Sequence, residues 1–372
     1  MKPKGIAIVL ATFGLLLVNA PATASSADKP PDADVLRQRI AAQAPDWLKR
    51  YDVPSVAVAY VADGKLAWTY VTGEQSPGVP ANERTLYNLA SLTKPVAAEL
   101  ILRLASAGRL SLDAPMDAHW VDPDLEGQAW THLLTPRIAL SHQTGFKNWR
   151  RDSGGMLRFA WQPGTQTGYS GEGYDYVGRY AERALGQPFE VLAQTYVLDP
   201  IGMRDSAFTW RPWFEGRLAE PRGPRGETAP KTQSTWTAAD LMRATIGDYG
   251  KFLASVMHRE GLTPAIAAQR DTSTRDLATP DKLKGLCDSA GVRDPARCRG
   301  SAGMGLGWEI LTLDGDTIID HSGSDWGVRT FVFYLPDRKQ GAVVLTNGEN
   351  GMKVVREVVE EMIDNPLFLA TL

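Results

Sequence analysis

A basic excess is missing from this 372-residue chain: 40 lysines and arginines face 43 aspartates and glutamates, for a net charge of −3. Nucleic-acid binding draws on phosphate neutralisation by a basic patch, and the sequence has none, so no nucleic-acid partner is expected. Histidine occurs only five times, at positions 119, 132, 142, 258 and 321. No His-x-x-Glu-His or other paired ligand spacing links them, which argues against a metal, and nothing in the chain calls for an organic cofactor. No apolar run is long enough to span a bilayer comfortably. Internal repeats and low-complexity tracts are absent as well.

What the chain does have begins with an export signature. Lys2 and Lys4 precede the apolar run Ile6–Val18, and Ala22-Thr23-Ala24 supplies small residues around a cut. This layout reads as a signal peptide over residues 1–24, followed by a loose mature N-terminus over 25–33. The expected destination is periplasmic or extracellular, with no membrane anchor left after cleavage. In such an oxidising compartment the two cysteines, Cys287 and Cys298, are expected to close a short loop as a structural staple.

Apolar periodicity then sets the architecture. Asp34–Arg50 reads as a helix with Val35, Ile40, Trp47 and Leu48 facing inward. Two strand-like runs follow, joined at Asp63-Gly64, a strong hairpin signal. Beyond Lys94, residues Val96, Ala97, Leu100, Ile101 and Leu104 share one helical face, with Gly108 as the stop. From Asp113 to about Gly300 the chain reads as irregular and helical, and 211–234 as a long surface excursion. Strand patterns return at Gly305, with turns at Asp314-Gly315 and near Asp337, and an amphipathic helix near Met352–Ile363 closes the chain. The expected fold is therefore α/β in the α+β sense. One antiparallel sheet is built from both chain ends (about 34–85 and 301–372) and flanked by helices. A mostly helical lobe, about 86–300, is inserted between them, leaving a cleft where the two meet.

Ser91 and Lys94 stand three residues apart at the start of that central helix, in "LASLTKPVAAELILRLASAGRLSLDAPM". A serine hydroxyl needs a base to become a nucleophile, and a lysine one turn away lies within reach of it. If desolvated, that lysine loses proton affinity and can relay a proton. The lysine precedes Pro95, which resists α geometry in the residue before it, so the first turn is expected to be irregular. Alone, Ser-x-x-Lys is a weak signal. The whole stretch, however, resembles the nucleophile helix of the serine β-lactamase-related family, which includes class C β-lactamases, D-alanyl-D-alanine carboxypeptidases, D-aminopeptidases and esterases. The likeness continues, in the family's order, through "IALSHQTGF", "QPGTQTGYSGEGYDYVGRYAERALGQPF", "YVLDPIGMRDSAF" and "HSGSDWGVRTFVFYLPDRKQGAVVLTNGEN".

The resemblance implies a β-lactamase/transpeptidase-like catalytic domain over 34–372, with Ser91 as the acylated nucleophile and Lys94 as its partner. Tyr169, in Tyr-Ser-Gly, falls on the family's Tyr-x-Asn loop and would act as general base toward Ser91 and acid toward the leaving group. His321-Ser322-Gly323 matches the Lys/His-Thr/Ser-Gly triplet of the cleft strand. Gly323 would let substrate approach that strand, and the N–H groups of Ser91 and Ser324 would form the oxyanion hole.

Two departures bear on specificity. Gly171 stands where many β-lactamases carry asparagine, and His321 replaces the lysine of class C enzymes; both lower the expectation of β-lactam turnover. Glu172 is considered as a substitute for the lost amide, Arg329 as a contact for a substrate carboxylate, and His142 as a structural residue. Ser170 fails as a nucleophile elbow, because Glu172 occupies the second glycine of Gly-x-Ser-x-Gly. The sequence thus predicts an exported serine hydrolase acting on a small ester or amide, with D-amino-acid peptides among the candidates. The alternatives are a catalytically silent binding protein on the same fold and a class C-like β-lactamase. No partner protein is evident.

Overall fold

The structure, a computed structural model, describes residues 32–227 and 235–372. The predicted signal peptide and nearly all of the loose N-terminus lie outside the described residues. Among the described residues, no helix is long and apolar enough to cross a membrane.

Eight strands form one antiparallel sheet. In chain order they are β1 (Ser55–Ala62), β2 (Lys65–Ser76), β3 (Val79–Pro80), β4 (Gly300–Met304), β5 (Glu309–Leu313), β6 (Asp316–Asp325), β7 (Val328–Leu335) and β8 (Gln340–Thr346). Their spatial order is β3-β2-β1-β8-β7-β6-β5-β4. The seam between the two chain ends is the β1/β8 pair, in register from Val56↔Thr346 to Val61↔Gly341. The hairpins at Asp63-Gly64 and Asp314-Gly315 turn with positive φ at both residues, as the twist of paired strands demands. The edge strand β4 was not expected; its Gly-Ser-Ala-Gly-Met sequence lacks the β-branched residues that mark a strand.

Alternation along β1 assigns its two faces. Val56, Val58 and Tyr60 join the helices α1 (Ala33–Tyr51) and the C-terminal Gly351–Glu360 in one core. Ala57, Ala59 and Val61 join the helical segment in a second, larger core. Inside α1 the buried residues are Leu36, Ile40, Ala44, Trp47 and Leu48, while Val35 is 50% exposed. Asp32 caps the helix by accepting from the N–H of Asp34 and Val35, which places Val35 on the solvent side of the first turn.

The second core surrounds α2 (Thr93–Ser106), whose Val96, Leu100, Ile101 and Leu104 are all buried. Burying each contributes about 1.5–3 kcal/mol, enough to fix the helix against the sheet. Of the segment expected as a surface excursion, residues 211–227 are described; they run irregularly along the surface and are pinned at a few points. Ala219 N–H donates to Leu86 O at 2.9 Å and Arg222 N–H to Asn347 O at 2.9 Å, with Phe214 buried. It lacks apolar periodicity because it is held by single bridges and not by a regular element.

Candidate active site

Ser91 sits on a short 3₁₀ turn, Ala90–Leu92, just ahead of α2. The irregularity lies ahead of α2 and not at Lys94, which is helical although it precedes Pro95. Ala90 adopts φ 47°, an uncommon left-handed conformation for a residue with a Cβ, and its N–H donates to Asn88 Oδ1 at 3.0 Å. The turn thus brings Ser91 round to face β6.

Lys94 is fully buried. Its Nζ donates to Ser91 Oγ at 3.1 Å and to Ala239 O at 2.7 Å. Three rings surround it, with centroids at 4.7 Å (Tyr169), 5.8 Å (Tyr174) and 5.9 Å (Trp149). Burial pulls the Lys94 pKa down to about 8, against the opposing pull of the Asp240 and Asp175 carboxylates. A lysine in this state exchanges a proton near neutral pH.

Tyr169 precedes α3 (Gly171–Leu185) and stacks on His142, ring centroids 4.3 Å apart. His142 also accepts the Ser170 N–H on Nδ1 at 3.0 Å, and its own carbonyl accepts the Gly168 N–H at 2.8 Å. The imidazole therefore holds the loop on both sides of the phenol. Burial lowers the His142 pKa well below the usual range, and the nearby Lys94 acts in the same direction, so the ring stays neutral and keeps its acceptor. Burial raises the Tyr169 phenol above its ordinary value, and hydrogen bonding to Ser91 partly offsets this. The tyrosine is 38% exposed, so solvent reaches the same ring.

The opposite wall is β6. Gly323 has no space for a side chain: a Cβ would stand 2.1 Å from Thr330 Oγ1, 2.7 Å from Leu89 O and 3.2 Å from Ser91 N. Its missing Cβ is what lets the strand run beside Ser91. His321 is buried, with its ring centroid 6.1 Å from that of Tyr169. Its Nδ1 lies 2.7 Å from Ser322 O, a contact that requires Nδ1–H and leaves Nε2 as the acceptor. Burial lowers its pKa to about 3, with Lys94 acting in the same direction, so His321 is neutral at physiological pH. Ser91, Lys94, Tyr169, His321 and Gly323 therefore converge. Ser324 follows on the same strand, paired with Arg329 of β7.

Other readings come out differently. Gly171 is the first residue of α3, and a Cβ there would stand 2.6 Å from the Trp149 indole. The space of the family's asparagine side chain is thus filled by an aromatic ring from the preceding loop. Glu172 does not replace the amide: its carboxylate accepts from Arg150 N–H and Nε, both at 2.9 Å, and Arg150 also binds Asp122 and Asp124. Arg329 is engaged by Glu349 and by the carbonyls of Asp325 and Val328. Trp326 lies over Gly223, where a Cβ would stand 2.3 Å from its ring. Ser170 caps α3, accepting from Gly173 N–H and donating to Lys147 O.

Sequence reasoning missed Asp240 and Trp149. Asp240 is pushed up to about 6 by burial and by Asp325, and sits in "STWTAADLM", which carries no motif to mark it. Trp149 was detectable only in combination with the glycine at 171. Cys287 and Cys298 are disulfide-bonded. Among the described residues, no group of three His, Cys, Asp or Glu side chains is placed to hold a metal.

Comparison with known proteins gives the same direction. The family model described as Beta-lactamase matches residues 22–362. Esterase EstB of Burkholderia gladioli is 28% identical over 347 residues, covering 78% of this chain and 84% of the esterase. The D-alanyl-D-alanine-carboxypeptidase/endopeptidase AmpH of Escherichia coli is 25% identical, covering 82% and 84%. Among solved structures, D-alanine carboxypeptidase AmpC from Burkholderia cenocepacia superposes with a TM-score of 0.69 at 23% identity, over 89% of this chain and 99% of that one. That likeness speaks for the fold. A family match over this much of the sequence, with relatives named as esterase, β-lactamase and carboxypeptidase, places the chain in the Beta-lactamase family of serine hydrolases.

Proposed function

We propose that the protein hydrolyses a small neutral ester or amide through an acyl-enzyme on Ser91. The observation that carries this reading is the buried Lys94 amine, 3.1 Å from Ser91 Oγ with its pKa lowered to about 8. As a free amine, Lys94 takes the Ser91 proton while Oγ bonds to the substrate carbonyl carbon. The N–H groups of Ser91 and Ser324 receive the developing oxyanion. Collapse breaks the bond to the leaving group, which takes a proton from the Tyr169 phenol, and the Lys94 ammonium returns a proton to Tyr169. Water then repeats the sequence on the acyl-enzyme, releasing the acid and freeing Ser91. A phenol with a raised pKa is protonated at neutral pH, whereas a lysine near 8 is partly free amine, so the lysine is the available base of the two.

Three observations favour a neutral substrate. His321 is held uncharged, Arg329 is engaged by Glu349, and Asp240 places negative charge near Tyr169. A free carboxylate, which a β-lactam carries, finds no partner in this constellation other than Lys94 itself. D-Amino-acid amides remain compatible. Export to an oxidising compartment, as the N-terminal residues suggest, agrees with the Cys287–Cys298 bridge.

The test is fluorophosphonate labelling with peptide mapping, beside burst kinetics on p-nitrophenyl acetate. A single adduct on Ser91 and stoichiometric burst product are expected. Labelling that survives Ser91→Ala, or no burst with any ester, would reject the acyl-enzyme in favour of a silent binding protein. Nitrocefin turnover exceeding every ester would favour a β-lactamase.

A further inference from the structure

Strand β6 has two working faces. His321 and Gly323 look toward Ser91, whereas Asp320 and Ser322 look the other way, into a cavity of about 440 Å³. The cavity lies between β4–β6, the helix Pro280–Ser289 and Met352 near the chain end. Its wall is mostly apolar, with Leu277, Leu283, Leu286, Leu311, Phe331 and Met352 among the lining residues. Yet Glu309 and Asp320, directly opposite each other on β5 and β6, also line it. Asp320 is 4% exposed, and its Oδ2 has no hydrogen-bond partner. Among the described residues, Lys282 is the one cation on the wall, and its Nζ lies 3.4 Å from Leu277 O.

Two carboxylates side by side in an apolar pocket are costly unless positive charge compensates them. Burial and the neighbouring Glu309 raise the Asp320 pKa, which reflects the same cost. A small divalent cation would find two carboxylates, the hydroxyls of Ser301, Ser322 and Thr371, and no third acidic, histidine or cysteine ligand among the described residues. An alkylammonium meets both demands, since its head carries one charge and donor hydrogens while its tail matches the walls.

We propose that this cavity binds an amphiphilic monocation, with a primary ammonium between Glu309 and Asp320 and a hydrocarbon chain along the leucine-lined wall. The site is separate from the Ser91 cleft, because β6 stands between them, and it does not depend on which substrate Ser91 attacks.

Calorimetric titration of the intact protein with octylammonium chloride at pH 8 tests this. Saturable one-to-one binding is expected. Octanol, with the same chain and no charge, should bind about tenfold or more weakly, the loss of one charge-assisted contact. Asp320→Asn, nearly isosteric, should weaken octylammonium by about the same factor. Leu283→Trp, which fills the pocket and leaves both carboxylates, should abolish binding; matched melting curves check that both variants fold. Absence of saturable binding overturns the proposal, as does equal affinity for octanol. Affinity unchanged by both substitutions places the amine elsewhere and has the same consequence.

Discussion

Lys94 is where the chemistry of the site is set, because a fully buried amine cannot hold its proton as a surface lysine does. Its pKa near 8 gives a sign to the pH dependence. Below that value the side chain is an ammonium without a lone pair, and Ser91 keeps its proton. kcat/KM for a neutral ester should therefore rise tenfold per pH unit on the acid side and level off above about pH 8. His321, neutral down to about pH 3, adds no second step in the working range. Lys94→Ala should lower kcat by about 10²–10⁴-fold and remove the rise, and adding Tyr169→Phe should cost little more. A wild-type profile flat from pH 6 to 9 would take the base role away from Lys94. The Ser-x-x-Lys spacing made this pair legible in the sequence. Desolvation was not, because it comes from Tyr169, Tyr174, Trp149 and the Ala239 carbonyl, which lie 55 to 145 residues away from Lys94 along the chain.

At the level of elements, the start of α3 and the loop before it act as one piece. Ser170 caps the helix, Asn148 Oδ1 accepts the Gly171 N–H at 2.9 Å, and Trp149 covers Gly171. Gly171→Asn, read from the sequence alone, would restore an amide and help amide substrates. The indole 2.6 Å from the Cβ position changes that expectation. The single substitution should destabilise the protein by about 1–3 kcal/mol through overpacking and lower activity on all substrates. Trp149→Ala combined with Gly171→Asn should recover the melting temperature lost by Gly171→Asn, because the two side chains compete for one space. Thermal melts of the two single variants and the double variant measure this coupling. Additive losses would mean that the two positions do not share the space. Elements with a continuous apolar run, a turn signature or helical periodicity were legible, such as β1, the Asp-Gly hairpins and α2. The Gly171–Trp149 packing was not, since a glycine in a sequence does not name the ring that excludes its side chain.

Across the whole molecule, the residues proposed for catalysis and the disulfide pack against opposite faces of the sheet. Ser91 and Lys94 belong to the core around α2. Cys287 sits in the other core, with α1 and the C-terminal helix, and its bond to Cys298 closes a loop with a sequence separation of 11 residues. The antiparallel sheet joining both chain ends was legible, because strand patterns appear only near the two ends of the sequence. The packing of residues 211–227 was not, because isolated bridges leave no period to read. The separation of staple from site gives a global prediction. A loop of this length constrains the unfolded chain by about 2–3 kcal/mol, so Cys287→Ser with Cys298→Ser should lower the melting temperature by several degrees. Ester turnover at 25 °C should change less than twofold, because the bridge and Ser91 pack on opposite faces of the sheet. Reduction by dithiothreitol should produce the same shift in the wild-type protein and none in the double variant. A large loss of kcat at 25 °C with an unchanged melting temperature would contradict this separation. It would mean that the segment around Cys287 acts on the cleft through β6, the strand shared by the two faces.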